Sequence, residues 1–278
     1  MRKLKLPPFE NVGANQVAVM PRIPMGETYH GIILKLGGTT FTKSLIAQIK
    51  IRLGGKVIWD LTGSQLDVID LFMGQTANAA YLLIPFSDFN ARTTYGESIG
   101  AIDTSLPYSG FAMEVSIGAA TAPTLEAWSL TTKEKVVQEA WQRPLFRCMV
   151  PATHSIGAAG GFNLPIPLGS DSGAFIKRIH NFHANITEFS VKMNGSDIQD
   201  QGENGVIQFF QNNLTRVTQA GHLAFDPTVL DNQANAIPTV RSIENGLKRR
   251  NNFEFKATLS GADTIVTVSE LYADIESV

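Results

Sequence analysis

The chain has 278 residues, 44% of them hydrophobic, which suits a folded chain with room for one large domain or two of ordinary size. Its 23 Lys and Arg against 25 Asp and Glu leave a formal charge of −2, so no global field draws nucleic acid or an anionic membrane, and any such contact must be local. A single cysteine, Cys148, excludes an intrachain disulfide and a multi-cysteine zinc site, while apolar runs such as Ile32-Ile33-Leu34 fall far short of the roughly 18 residues of a membrane-spanning helix.

The first segment, Met1-Arg2-Lys3-Leu4-Lys5-Leu6-Pro7-Pro8, is basic and lacks the apolar stretch of a secretory signal. The chain is therefore expected to be made and kept in the cytoplasm unless it leaves by lysis. Further on, Ile49, Ile51 and Leu53 alternate with Gln48, Lys50 and Arg52, the period of a half-buried strand. Gly54-Gly55 supplies the positive φ angles of a tight type I′ hairpin. Leu66, Ile69, Phe72 and Met73 then fall at helical spacing, with Ser64 as the expected N-cap, Asp67 three residues on and Gly74 as the stop signal. Phe111, Met113, Val115 and Ile117 mark another alternating strand, and Trp59 and Trp128 both fall within expected strands. The junction from Thr131 to Pro144 reads as a linking helix or a final strand, with a domain boundary near Pro144. Cys148 lies in the apolar, strand-like run Phe146 to Val150, as a buried and inert thiol.

The second half repeats the first. Ile166-Pro167-Leu168-Gly169 answers Ile23-Pro24-Met25-Gly26, and the strand and turn of 186–200 match those of 46–60 at a separation of about 140 residues. Asn194-Gly195 takes the place of Gly54-Gly55, a short helix over 205–212 that of the earlier helix, and Phe253, Phe255, Ala257 and Leu259 that of Phe111 to Ile117. The blocks keep one order, and the Ile-Pro-Met-Gly match is not demanded by strand periodicity. The expected fold is all-β: a double jelly roll of two tandem eight-stranded β-sandwiches with short loop helices, residues 1–143 and 144–278.

Catalytic constellations do not assemble from these residues. Only five histidines are present, and on a strand His180 and His183 would point to opposite faces, which argues against a shared metal. Ser170-Asp171-Ser172-Gly173 has the form of a serine-protease nucleophile motif, but its base would have to be His30, alone in the first copy, and a solvated turn fits better. Cys148 and His154 do not form a thiol dyad. Asp197, Asp200, Glu203 and Asn204 cluster without the spacing of a calcium-binding EF-hand and read as a solvated loop, as does Lys248-Arg249-Arg250. The sequons at Asn185, Asn194 and Asn213 have no secretory context.

Leu6-Pro7-Pro8, the run Ile-Pro-Met-Gly-Glu-Thr-Tyr-His at 23–30 and Ile-Lys-Ile-Arg-Leu-Gly-Gly-Lys at 49–56 resemble the N-terminal domain of corticovirus-type capsid proteins, the double-jelly-roll coat proteins of tailless icosahedral phages with an internal membrane. The likeness is clearest over residues 6–75. It implies a major capsid protein without enzymatic activity, found in the virion and made in the cytoplasm of a bacterial host. It further implies a homotrimer, contacts with neighbouring trimers and with penton and minor capsid or membrane proteins, and no sequence-specific nucleic acid. It also implies an inward-facing N-terminal arm, placing Arg2, Lys3 and Lys5 toward the internal lipid membrane or an inner membrane protein. No cofactor is expected, although the resemblance leaves open a structural calcium ion with no ligands assigned. Two other readings of the same pattern stay open: a carbohydrate-binding or receptor-binding spike protein, and a bicupin-type metalloenzyme.

Overall fold

Wherever apolar and polar residues alternate, the backbone is extended. The computed structural model describes residues 1–91, 93, 96, 98–133, 144–170, 172–242 and 247–278. The first half contributes β1 (Arg2–Lys5), β2 (Val17–Met20), β3 (Thr28–Gly37), β4 (Ile46–Leu53), β5 (Lys56–Leu61), β6 (Tyr81–Pro85), β7 (Ile102–Asp103), β8 (Phe111–Ile117) and β9 (Thr124–Thr132), with α1 (Gly63–Phe72) between β5 and β6. The second half contributes β10 (Phe146–Ile156), β11 (Gly160–Asn163), β12 (Phe175–Phe182), β13 (Ile186–Met193), β14 (Ser196–Glu203), β15 (His222–Phe225), β16 (Ile237–Pro238), β17 (Val240–Ser242), β18 (Lys248–Arg250), β19 (Phe253–Leu259) and β20 (Asp263–Ala273), with α2 (Asn204–Asn212) between β14 and β15.

Strand order reveals the duplication directly. The first sandwich stacks β1-β9-β3-β6 on β2-β8-β4-β5, and the second stacks β10-β20-β12-β15 on β11-β19-β13-β14. Each position of the first order is filled in the second by the strand that repeats it, and the short β7 and β16 join β3 and β12 in the same way. Two four-stranded antiparallel sheets in this order make an eight-stranded jelly roll, so the chain is a double jelly roll. Ile49, Ile51 and Leu53 from one sheet and Ile32, Leu34 and Ala127 from the other meet in a core whose apolar contacts continue into the second sandwich.

The turns have the geometry that their residues dictate. Gly54 and Gly55 have φ of 58° and 83°, Asn194 and Gly195 have 53° and 83°, and both pairs form the left-handed corners of equivalent hairpins. Gly26 and Gly169, the last residues of the two Ile-Pro-x-Gly blocks, also have positive φ. Three local expectations need correction. Helix α1 is capped by Thr62, not Ser64: Thr62 Oγ1 accepts from the Gln65 amide, and the Gln65 side chain accepts from the Thr62 amide, closing a reciprocal box two residues earlier. Asp197, Asp200 and Glu203 lie on β14, and Lys248-Arg249-Arg250 forms β18; ladder pairing to β13 and β17 outweighs their polarity. The helix-or-strand expectation for the junction falls on 134–143, outside the described residues.

The sandwiches are fused edge to edge. Met149 of β10 pairs in parallel with Trp59 of β5, which turns two four-stranded sheets and β16 into one nine-stranded sheet.

Replacing Thr62 by Ala removes the capping box and is expected to lower unfolding stability by about 1 kcal/mol, whereas Ser64→Ala stays within about 0.5 kcal/mol. Urea denaturation of the two variants distinguishes them, and equal losses would contradict the assignment of the cap.

Candidate functional site

Charged side chains inside strands must be paired or exposed, and β12 and β20 carry several. Ile176, Ile179, Leu271 and Ala273 point into the second sandwich, leaving Lys177, Arg178, His180, Glu270 and Tyr272 on the opposite face of the sheet. All five are nonetheless buried, because the first sandwich covers them with the segment after β6 and the end of α1.

The cover is ionic at its centre. Glu270 Oε1 lies 2.7 Å from Arg147 Nε and 3.0 Å from Lys177 Nζ, and Lys177 Nζ also lies 3.2 Å from Asp88 Oδ2 of the first sandwich. Arg178 Nε meets Asp226 Oδ2 at 3.0 Å, and Arg216 bridges Asp226 and Asp231 at 2.7 Å each. Four cations thus meet four carboxylates. Burial alone would raise the Glu270 and Asp88 carboxyls, but Lys177, Arg178 and Arg147 hold both below the usual carboxylate range. Burial brings the Lys177 ammonium down to about 8, still cationic at neutral pH. Asp70 of α1 is pushed up to about 8 by burial, against the pull of Arg147 and Lys43, and so adds no fifth negative charge.

Arg147 links the two halves most directly. It donates through Nη1 to the Pro85 carbonyl at 2.7 Å, its guanidinium lies 5.5 Å from the Trp59 ring centre, and its own carbonyl accepts from Trp59 Nε1 at 2.9 Å. Beside this cluster, Phe72 of α1 meets the rings of His222 and His180 edge-on, at 5.0 and 6.0 Å. The two imidazoles stack, with His180 Nδ1 3.0 Å from His222 Nε2, and burial holds both below their usual 6.5. Each of these charges has a counter-charge within 3.2 Å, although Arg147 Nε, Arg178 Nε and Nη2 and His222 Nδ1 make no aligned hydrogen bond, and the arrangement ties one sandwich to the other.

The other candidates do not converge. His183 lies beyond the end of β12, where its Nδ1 accepts from the Ile186 amide, so the histidine that meets His180 is His222. His30 is tied to Ser87 and Thr132. Ser170 and Ser172 share a hydrogen bond in a turn held to Ser277 and Glu276, and Asp171 lies outside the described residues. Cys148 is buried, which pushes its thiol up, and His154 stands further along the same strand. Among the described residues no three His, Cys, Asp or Glu side chains are placed to share a metal ion, and no helix is long and apolar enough to cross a membrane. Arg2, Lys3 and Lys5 lie on the edge strand β1, where Arg2 pairs with Glu27 and Lys5 with Glu126. Sequence reasoning passed over the charge network. Its signal was the adjacent pair Lys177-Arg178 between Ile176 and Ile179 in one strand and Glu270 between Val268 and Leu271 in another, charges set among core residues.

The two halves match two family models, described as the viral coat protein P2 N-terminal domain, over residues 3–134, and the viral coat protein P2 C-terminal domain, over residues 147–275. The chain belongs to the viral coat protein P2 family. Among solved structures, this coat protein is similar to the major capsid protein P2 from bacteriophage PM2, with TM-score 0.82 and 15% identity over 100% of this chain and 99% of that one. It is also similar to the STIV major capsid protein (TM-score 0.66, 10% identity, 99% and 97%) and to PBCV-1 VP54 (0.59, 11%, 97% and 92%). No curated protein sequence matches the chain. The coat protein is a structural component of the viral capsid, and its place is the virion.

Glu270→Gln leaves three buried cations short of a counter-charge and is expected to cost about 3–5 kcal/mol in urea unfolding; a loss below about 1 kcal/mol would contradict the role given to the network. The His pair makes a separate prediction. The unfolded chain takes up protons near pH 6.5 and the folded one only lower, so stability held above pH 6.5 is lost as the pH falls below it. Melting temperature should drop from pH 7.5 to 5.5 less steeply in His222→Gln than in the parent, and equal slopes would contradict neutral burial.

Proposed function

We propose that three copies of this coat protein form a pseudo-hexagonal tile, and that such tiles build an icosahedral shell around an internal membrane. The observation that carries the reading is the shared strand order of two sandwiches locked side by side. Three chains then present six similar bodies around a threefold axis, and a trimer fills a six-sided place in a closed lattice. Neighbouring trimers, penton proteins and minor capsid or membrane proteins are the partners of this tile. The role is structural, without catalysis or sequence-specific contact with nucleic acid, and the chain is made in the cytoplasm of a bacterial host. Trp59 and Trp128, which a sugar-binding reading would want on exposed loops, lie on β5 and β9, and this favours the shell over a lectin or spike.

The N-terminal strand supplies the contact with the membrane. Arg2 and Lys5 are engaged by Glu27 and Glu126, so Lys3 carries most of the attraction to anionic headgroups, about 1 kcal/mol near such a surface. Assembly needs no cofactor, and chelation by EDTA leaves the trimer intact; a trimer lost in EDTA and restored by calcium would overturn this part.

Light scattering coupled to size exclusion is expected to give three chain masses for the full-length protein, and a persistent monomer would contradict the tile. Lys3→Glu is expected to weaken binding to vesicles containing anionic lipid by about fivefold, and unchanged binding would contradict the membrane-facing strand.

A further inference from the structure

The repeated helices have opposite surroundings. Leu66, Ile69 and Phe72 of α1 are buried, whereas α2 exposes Val206 by 64%, Phe209 by 71% and Phe210 by 57%. Phe210 occupies in α2 the place that Phe72 occupies in α1, since Val206-Ile207-Gln208-Phe209-Phe210 repeats Val68-Ile69-Asp70-Leu71-Phe72. Two adjacent phenylalanines on a short exposed helix have a strong drive to be covered.

The chain itself shows what covers such a position. Phe72 seats on the outer face of β12 and β15, against His180, His222 and Ala224, and its carbonyl accepts from the Val217 amide at 2.9 Å. The counterparts of β12 and β15 are β3 and β6. His180 pairs with Ala224 and Phe182 with His222 in the second sandwich, as Ile33 pairs with Leu83 and Lys35 with Tyr81 in the first. The seat equivalent to His180, His222 and Ala224 is therefore Ile33, Tyr81 and Leu83. It is an open depression of about 650 Å³, walled further by Trp128 and Leu130 of β9. Tyr81 is 45% exposed there.

We propose that Phe210, with Phe209 beside it, docks on Ile33, Tyr81 and Leu83 of a second copy of this chain, so that the contact between subunits repeats the contact between the two sandwiches of one subunit. This deepens the trimer reading and rests on it. A contact made from the first sandwich to the second within a chain, and from the second to the first of the next chain, is head-to-tail, and it closes into a ring of three when each step turns by one third of a circle, as the trimer reading requires. The seat within the chain is built from histidines flanked by an ionic network, whereas the open one has an aliphatic and aromatic floor of Ile33, Tyr81, Leu83 and Trp128 with a polar rim that includes Lys3 and Lys35. That difference suits a seat filled by an aromatic anchor on a separately folded partner.

The test uses the full-length protein in three forms. Phe209→Asp combined with Phe210→Asp is expected to weaken association at least thirtyfold, giving a monomer by light scattering at concentrations where the parent is a trimer. Both side chains are more than half exposed, so the far-ultraviolet circular dichroism should match the parent. Phe210→Cys combined with Tyr81→Cys is expected to form, on mild oxidation, disulfide-linked species that stop at three chains, with Cys148 too buried to compete. A trimeric parent whose Asp variant stays trimeric and whose cysteine pair fails to cross-link would overturn this docking and leave the tile standing. A parent that is monomeric throughout would overturn the tile and the docking with it.

Discussion

The architecture depends on how the first sandwich sits on the second, and that is set where Arg147 enters the second sandwich. Its guanidinium reaches the Pro85 carbonyl on one side and Glu270 on the other while lying over Trp59, and its backbone continues into the pairing that fuses the two sheets. A protein that tiles a lattice must hold its two halves at one angle, because an error in that angle is repeated at every contact. An array of ion pairs with alternating partners resists displacement, since a displaced carboxylate leaves its cation buried and alone.

The balance of that array explains why it is tolerated at all. Taking charges out of water costs several kcal/mol per ion, and mutual attraction offsets this only when each charge finds good partners. Here Glu270 serves Arg147, Lys177 and Arg178, Asp226 serves Arg178 and Arg216, and Gln233 donates to Asp88 while accepting from Tyr272. Asp70 and the two stacked histidines complete the cluster in neutral form. Such an interface adds little net stability compared with a well-packed apolar one, and what it contributes is a single geometry.

Much of the fold was legible in the sequence because jelly-roll strands are half-buried. Period-two alternation marked β4, β8, β13 and β19, and turn chemistry at Gly54-Gly55 and Asn194-Gly195 marked the hairpins. The duplication could be read because sandwich cores and tight turns constrain residue type at fixed places in both copies. Capping by Thr62 instead of Ser64 was missed because both residues offer a hydroxyl three positions before a polar side chain, and only the backbone geometry decides between them. The charge network was missed for a deeper reason. A face of polar and charged residues on a strand normally means solvent, and the body that covers β12 and β20 is supplied by residues such as Asp88 and Phe72, far away in the chain.

The same distant relation gives the repeated helices their different fates: α1 has the second sandwich to cover it, and among the described residues nothing covers Phe209 and Phe210 of α2 in the same way. The most direct test is a cryo-electron microscopy reconstruction of the assembled coat protein at side-chain resolution. Six sandwiches are expected around each threefold axis, with the contact between subunits superimposing on the contact between the halves of one chain. A trimer whose chains meet through any other face, or a particle in which the outer face of β3 and β6 is open to solvent, would contradict this arrangement.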